Sequence, residues 1–136
     1  MSEPSGLADA ANVGLLKVLG IVIESASGEE ATISMEVGPE HLQAHGILHG
    51  GIHCTLVETA ASIGGYLWLI TQPGGGRVAG VNNNTDFLRS FTGGRVVATA
   101  TPIHRGRTQQ LWLVLVADAQ GKPLARGQVR LHNFAS

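Results

Sequence analysis

The 136-residue chain carries little charge: 14% of its residues are Asp, Glu, Lys or Arg, and the formal net charge is −1. A field that weak does not gather phosphate backbones or anionic lipid, so no nucleic-acid or membrane partner is expected, although recognition of one small anion stays open. Cysteine is nearly absent. Cys54 alone closes no intrachain disulfide, which fits a reducing, cytoplasmic setting. A clean membrane-spanning run is also missing: the stretch from Ile52 to Ile70 has nearly the length but holds Glu58, Thr55, Thr59, Ser62 and Gly64-Gly65. The opening residues place Glu3 and Asp9 where a secretory signal needs positive charge, and Lys17 interrupts the apolar run. There is no repeat, low-complexity tract or interdomain linker, so residues 1–136 are expected to form one domain with a real core. With 43% of residues hydrophobic, polar surface is scarce and self-association is expected.

What is present is periodicity. Leu7 to Lys17 reads as a short amphipathic helix. "IVIES" and "ATISMEV", separated by Ser27-Gly28-Glu29, read as a hairpin, since Ile33, Met35 and Val37 alternate with polar neighbours. A helix of about five turns is predicted from Gly50 or Gly51 to about Ile70, ended by Gly74-Gly75-Gly76. Four strand-like runs follow: "RVAGVNNNTDFLRS", "GRVVATATPIHRG", "TQQLWLVLVADA" and "PLARGQVRLHNF". Short turns between them predict antiparallel neighbours. The pattern is that of an α+β domain, five or six antiparallel strands wrapped over one long central helix.

His41, His45, His49 and His53 recur at every fourth position, the spacing of a metal-binding helical stripe. Gly46, Gly50 and Gly51 break any continuous helix through them, so no metal site is expected. His49 stands apart because it precedes the paired glycines where the helix begins. Unpaired N–H groups and the positive dipole end there favour an oxyanion; the glycines could equally serve close packing alone.

Glu58 is the one acid on this apolar helix, and Cys54, Thr55, Ala61 and Ser62, three and four positions away, offer it no cation. Buried without a partner, it would have a raised pKa, as functional carboxylates often do; an exposed helix edge or an ion pair with Arg89, Arg95 or Arg126 is the competing explanation. Ser62 lies one turn on, either a neighbour for substrate or water or a simple packing residue. If Glu58 and the Gly50 N–H serve one reaction, eight helical residues separate them by about 12 Å. That is too far for one carbonyl, so the two would come from different chains.

The string "QAHGILHGGIHCTLVETAAS", Gln43 to Ser62, resembles the signature of hotdog-fold acyl-CoA thioesterases, in the branch of the 4-hydroxybenzoyl-CoA and 1,4-dihydroxy-2-naphthoyl-CoA enzymes. Gln43, His49, Gly50, Glu58 and Ser62 fall at that signature's spacings. The resemblance implies Glu58 as nucleophile or general base, Gly50 N–H as oxyanion donor, Gln43 and His49 as orienting groups and Ser62 as a holder of water or substrate. It implies a homo-oligomer, a dimer or dimer of dimers, with Gln43, His49 and Gly50 on one subunit and Glu58 and Ser62 on its neighbour. Coenzyme A enters as part of the acyl-CoA substrate, not as a cofactor. Arg89, Arg105 and Arg107, with the backbone of Gly106 and Thr108, are candidates for its phosphates, or else solvated turn residues. A non-catalytic acyl-CoA-binding module is the alternative. A hotdog hydratase is disfavoured, because the histidine-proline-glycine loop of those enzymes is missing. Tyr66, Trp68 and Phe87 are either acyl contacts or core.

Overall fold

The computed structural model describes residues 9–135. The first expected helix is shorter and later than its pattern suggested. Residues 9–11 are helical, but the chain turns at Asn12–Val13 and Gly14 takes φ 60°, so α1 runs Gly14–Leu19; Leu7 lies outside the described residues. Then follow β1 (Val22–Ala26), β2 (Ala31–Val37), a single 3-10 turn (Pro39–His41) and the long helix α2 (Gly50–Leu69). The rest is strand: β3 (Arg77–Phe87), β4 (Gly94–Arg105), β5 (Gln109–Asp118) and β6 (Pro123–Phe134).

All pairings are antiparallel, in one six-stranded sheet of order β1-β2-β4-β5-β6-β3. Sequential neighbours hold except for β3. After α2 the chain goes to the far edge beside β6, and then returns to lay β4 against β2. An eleven-residue strand therefore pairs on one side only, and among the described residues nothing covers its other edge. It carries neither Pro nor Lys, the usual guards of an exposed edge.

The sheet wraps α2, which touches all six strands. Alternation puts Ile33 and Met35 of β2, Val96 and Ala98 of β4, Trp112 and Val114 of β5, and Val129 and Leu131 of β6 on one inner face. Leu56, Val57, Ala60 and Ala61 of α2 fill it. The helix comes so close because it is small where the sheet is large. A Cβ on Gly64 would lie 2.7 Å from the Trp112 ring, and one on Gly65 would collide with Leu131. The buried polar group at this end is satisfied: Gln110 accepts from Trp112 Nε1 (2.8 Å) and donates to Gly65 O (3.2 Å) and Asn133 Oδ1 (2.9 Å). These contacts fix the axial position of α2, and so the position of every group along it.

Candidate active site

The four histidines occupy four different local structures, not one face. His41 is buried in the 3-10 turn, where Nδ1 accepts from Gly38 N and Nε2 donates to Leu19 O, each at 2.9 Å. It clamps α1 to the loop that leads into α2. His45 is exposed in that loop, His49 caps α2, and His53 sits inside its first turn. No group of three potential metal ligands occurs among the described residues.

The approach to α2 is a closed loop. Gln43 N donates to Ile47 O, Gly46 N to Gln43 O, His49 N to His41 O and Leu48 N to Phe91 O. Gly46, at φ 82°, makes the reversal. The Gln43 side chain meanwhile accepts from His45 N.

At the helix tip, His49 Nδ1 accepts from Gly51 N at 2.7 Å. A neutral ring accepting through Nδ1 carries its proton on Nε2, and this ring is exposed, so it presents a donor outward. Both glycines make room for side chains. A Cβ on Gly51 would be 2.9 Å from His49 Nδ1, and one on Gly50 would be 2.8 Å from the Phe87 ring. Among the described residues the Gly50 N–H has no partner. It lies in a depression of about 320 Å³ whose walls include Gln43, His53, Phe87 and Arg89. The arrangement suits an oxyanion: a free N–H at the positive end of a 20-residue helix.

Glu58 departs from the expected burial. In the single chain its side chain is exposed, because it points to the free edge of the sheet rather than into the core. Of the two competing explanations, the exposed helix edge is the one the structure bears out; an ion pair with arginine is absent among the described residues. Arg89 pairs with Asp118 (3.2 Å), and Arg95 with Glu24 (2.8 Å). Glu58 instead lies against β3, where a Cβ on Gly80 would be 3.0 Å from its Oε2. It lines a second depression, of about 420 Å³, with Cys54, Thr55, Thr59 and Asn83. Ser62, half-buried one turn further, is outside that lining.

Two contributors, Gly80 and His53, had not been singled out for the site, and a third, Asn83, comes from an asparagine run that is unusual in a strand. Gly80 precedes a bulge at Val81, where the register with β6 shifts by one residue. An isolated glycine in a strand pattern is the sequence signal for such a place. Asn83 donates to Cys54 O at 3.0 Å and accepts from Thr85 Oγ1 at 2.7 Å, tying β3 to α2 one turn before Glu58. His53 is 3% exposed, its ring 5.8 Å from Phe87, and its buried Nδ1 lacks a partner. Loss of hydration holds its pKa below the usual histidine value.

The five candidate phosphate-binding positions divide. Arg89 is beside Gly50, though its guanidinium is held by Asp118 and Pro123 O. Arg105, Gly106, Arg107 and Thr108 line a depression of about 640 Å³ at the other end of α2, with Trp68 and Phe134. Arg105 is engaged there by Glu29 (2.7 Å) and Gly28 O (2.6 Å). Arg107 is exposed and joins none of the ion pairs among the described residues.

Residues 45–125 match the sequence model of the thioesterase superfamily. The chain belongs to that superfamily. It is 47% identical over 116 residues to a Mycobacterium tuberculosis protein named "Putative esterase Rv1847", covering 85% of this chain and 83% of that one. To the 1,4-dihydroxy-2-naphthoyl-CoA hydrolase of Listeria monocytogenes it is 37% identical over 112 residues, 82% of this chain and 89% of the other. The solved structure of thioesterase HI1161 from Haemophilus influenzae superposes with a TM-score of 0.88 at 30% identity, covering 96% of this chain and 90% of that one. The six-stranded antiparallel sheet around one long helix is thus the hotdog fold of this superfamily, and the reaction class is thioester hydrolysis.

Proposed function

We propose that the protein is an acyl-CoA thioesterase whose active site joins two chains, releasing free acid and coenzyme A. The observation that carries this reading is the unpaired Glu58 carboxylate, set against Gly80 on the free edge of the sheet. Among the described residues, Glu58 and Gly50 line two different depressions. The eight-residue rise of about 12 Å keeps them apart.

A second copy brings them together by simple geometry. Glu58 marks Gly80 on β3, and Gly50 marks Phe87 on the same strand. If the open edges of two β3 strands pair antiparallel about a two-fold at Asn84, then Asn83 faces Thr85 of the other copy. The bulge at Gly80–Val81 then falls opposite Phe87 of the other copy, which sets Glu58 of one chain beside Gly50 of the next. An open edge of eleven residues without Pro or Lys supports such pairing. A dimer, or a dimer of dimers, follows.

In that assembly the thioester carbonyl oxygen points at the Gly50 N–H, with His49 Nε2–H and Gln43 orienting it. Glu58 either takes a proton from the attacking water or attacks the carbonyl carbon itself, in which case water then hydrolyses the mixed anhydride to free acid and restores the carboxylate. The tetrahedral oxyanion collapses, the C–S bond breaks, and the thiolate leaves without needing a strong acid. Ser62 holds water or substrate near Glu58. Coenzyme A phosphates fall to Arg107 foremost, with Arg89, Arg105, Gly106 and Thr108 as further contacts; the reaction needs no cofactor. A cytoplasmic location suits the lone cysteine.

Glu58→Gln keeps the shape and removes the charge. Thiol release from acyl-CoA should fall by 10³-fold or more while oligomer size is unchanged. Turnover within tenfold of the parent would refute the assignment, and acyl-CoA binding with no turnover by the parent itself would make the protein a binding module.

A further inference from the structure

We propose that Leu15 of α1 is the specificity wall of the acyl site, limiting the bulk of the acyl group next to the thioester carbonyl. The inference rests on the reading of Glu58 as the reacting group. Leu15 lines the same depression as Glu58, and among the described residues it is the one large apolar side chain there; the other described walls are Cys54, Thr55, Thr59, Asn83 and the carboxylate. The volume, about 420 Å³, is that of a small-molecule site.

Packing among the described residues does not account for where Leu15 sits. Helix α1 buries no residue completely, and Leu15 is 55% exposed. Leu16 and Leu19 supply its contact with the core, and the His41 hydrogen bond to Leu19 O pins its end. Those anchors suffice to hold α1 in place. They leave Leu15 facing a reactive carboxylate, where its four side-chain carbons occupy space that a substrate needs. An acyl group acted on by Glu58 has its carbonyl carbon at that carboxylate, so the atoms beside Leu15 are those nearest the carbonyl. A straight chain passes such a wall more easily than a ring or a branch. A hydrophobic wall discriminates by about 10- to 200-fold per methylene at most, which sets the scale expected.

The test compares kcat/KM for benzoyl-CoA and hexanoyl-CoA in the parent, Leu15→Ala and Leu15→Trp. The ratio of benzoyl to hexanoyl should rise about tenfold or more in Leu15→Ala and fall by a similar factor in Leu15→Trp. Melting temperature and oligomer size should stay at parent values, because the side chain is half outside the core. An unchanged ratio in both variants, or movement in the opposite sense, overturns the inference. So does loss of assembly in Leu15→Ala, which would make Leu15 an interface residue. Glu58→Gln is assayed in parallel: if it is inactive while the Leu15 ratio stays fixed, only this inference fails, and if it remains active, the reading of the site fails with it.

Discussion

Glu58 reaches over Gly80 so closely that a Cβ there would sit 3.0 Å from Oε2 and 3.1 Å from Cδ. The glycine leaves room for the carboxylate, and the register of β3 with β6 shifts immediately after it.

Gly80→Ala should therefore displace the carboxylate while leaving the fold alone, since only the flexible end of one side chain must give way. A shift of about 1 Å at a reacting group costs on the order of 10²-fold in rate. We expect kcat to fall by about that factor with the melting temperature nearly unchanged. Parent-like kcat would separate Gly80 from the chemistry.

The proposed two-fold makes a covalent prediction. In a Cys54→Ser background, Asn84→Cys places two thiols opposite each other across the strand pair, with Cβ atoms about 5 Å apart. Mild oxidation or a short thiol crosslinker should convert most of the protein to a covalent dimer. Failure to crosslink in a protein that is dimeric in solution would move the axis elsewhere.

Arg107→Ala removes the one candidate arginine that joins no ion pair among the described residues. It should raise KM for an acyl-CoA several-fold and leave kcat nearly intact, the mark of lost ground-state binding. Hydrolysis of the same acyl group on a short pantetheine-type thiol should not respond. If the short substrate suffers equally, Arg107 is not a phosphate contact.

Acid should weaken the fold through His53. Burial lowers its folded-state pKa below the unfolded value of 6.5, so the folded chain favours the neutral ring. The contribution is fully present above pH 6.5 and is lost as pH falls from there toward the folded pKa. Asp118 and Glu24 act in a different window. Their pKa values are lowered, Asp118 chiefly by the Lys122 backbone N–H and Glu24 chiefly by Ser34, so their contribution disappears only below the ordinary carboxylate range. Thermal melts from pH 7.5 to 5 should show a decline that His53→Gln reduces. An equal decline in the variant would assign the acid sensitivity to other groups.

Much of this molecule was legible in its sequence because strand alternation and turn-forming residues mark its elements. The alternation in "ATISMEV" and the boundaries of "PLARGQVRLHNF" coincide with β2 and β6, and the glycine pair marks the start of α2. The paired glycines were open to two explanations, and the geometry favours side-chain packing by Phe87 and His49 together with a free N–H at Gly50. Long-range placement was not legible. Nothing local says that β3 leaves its sequential neighbours for the far edge, and that displacement is why Glu58 is exposed rather than buried. The same displacement explains Asn82-Asn83-Asn84. A polar run suits an edge strand, and Asn83 spends its amide on a helix carbonyl.

The central claim, that each site takes Glu58 from one chain and Gly50 from another, is tested most directly by complementation. Gly50→Pro removes the N–H at a first helical position, where His49 already has the extended backbone that precedes proline, but its Cβ displaces the Phe87 ring 2.8 Å away, so the fold of the variant is verified by its melting temperature. Glu58→Gln and Gly50→Pro chains should each be inactive as homo-oligomers. Unfolded and reassembled together, they should recover about a quarter of parental activity, because half of randomly formed dimers are hybrids and each hybrid has one intact site. No recovery, with hybrids verified by mass, would contradict a site built from two chains.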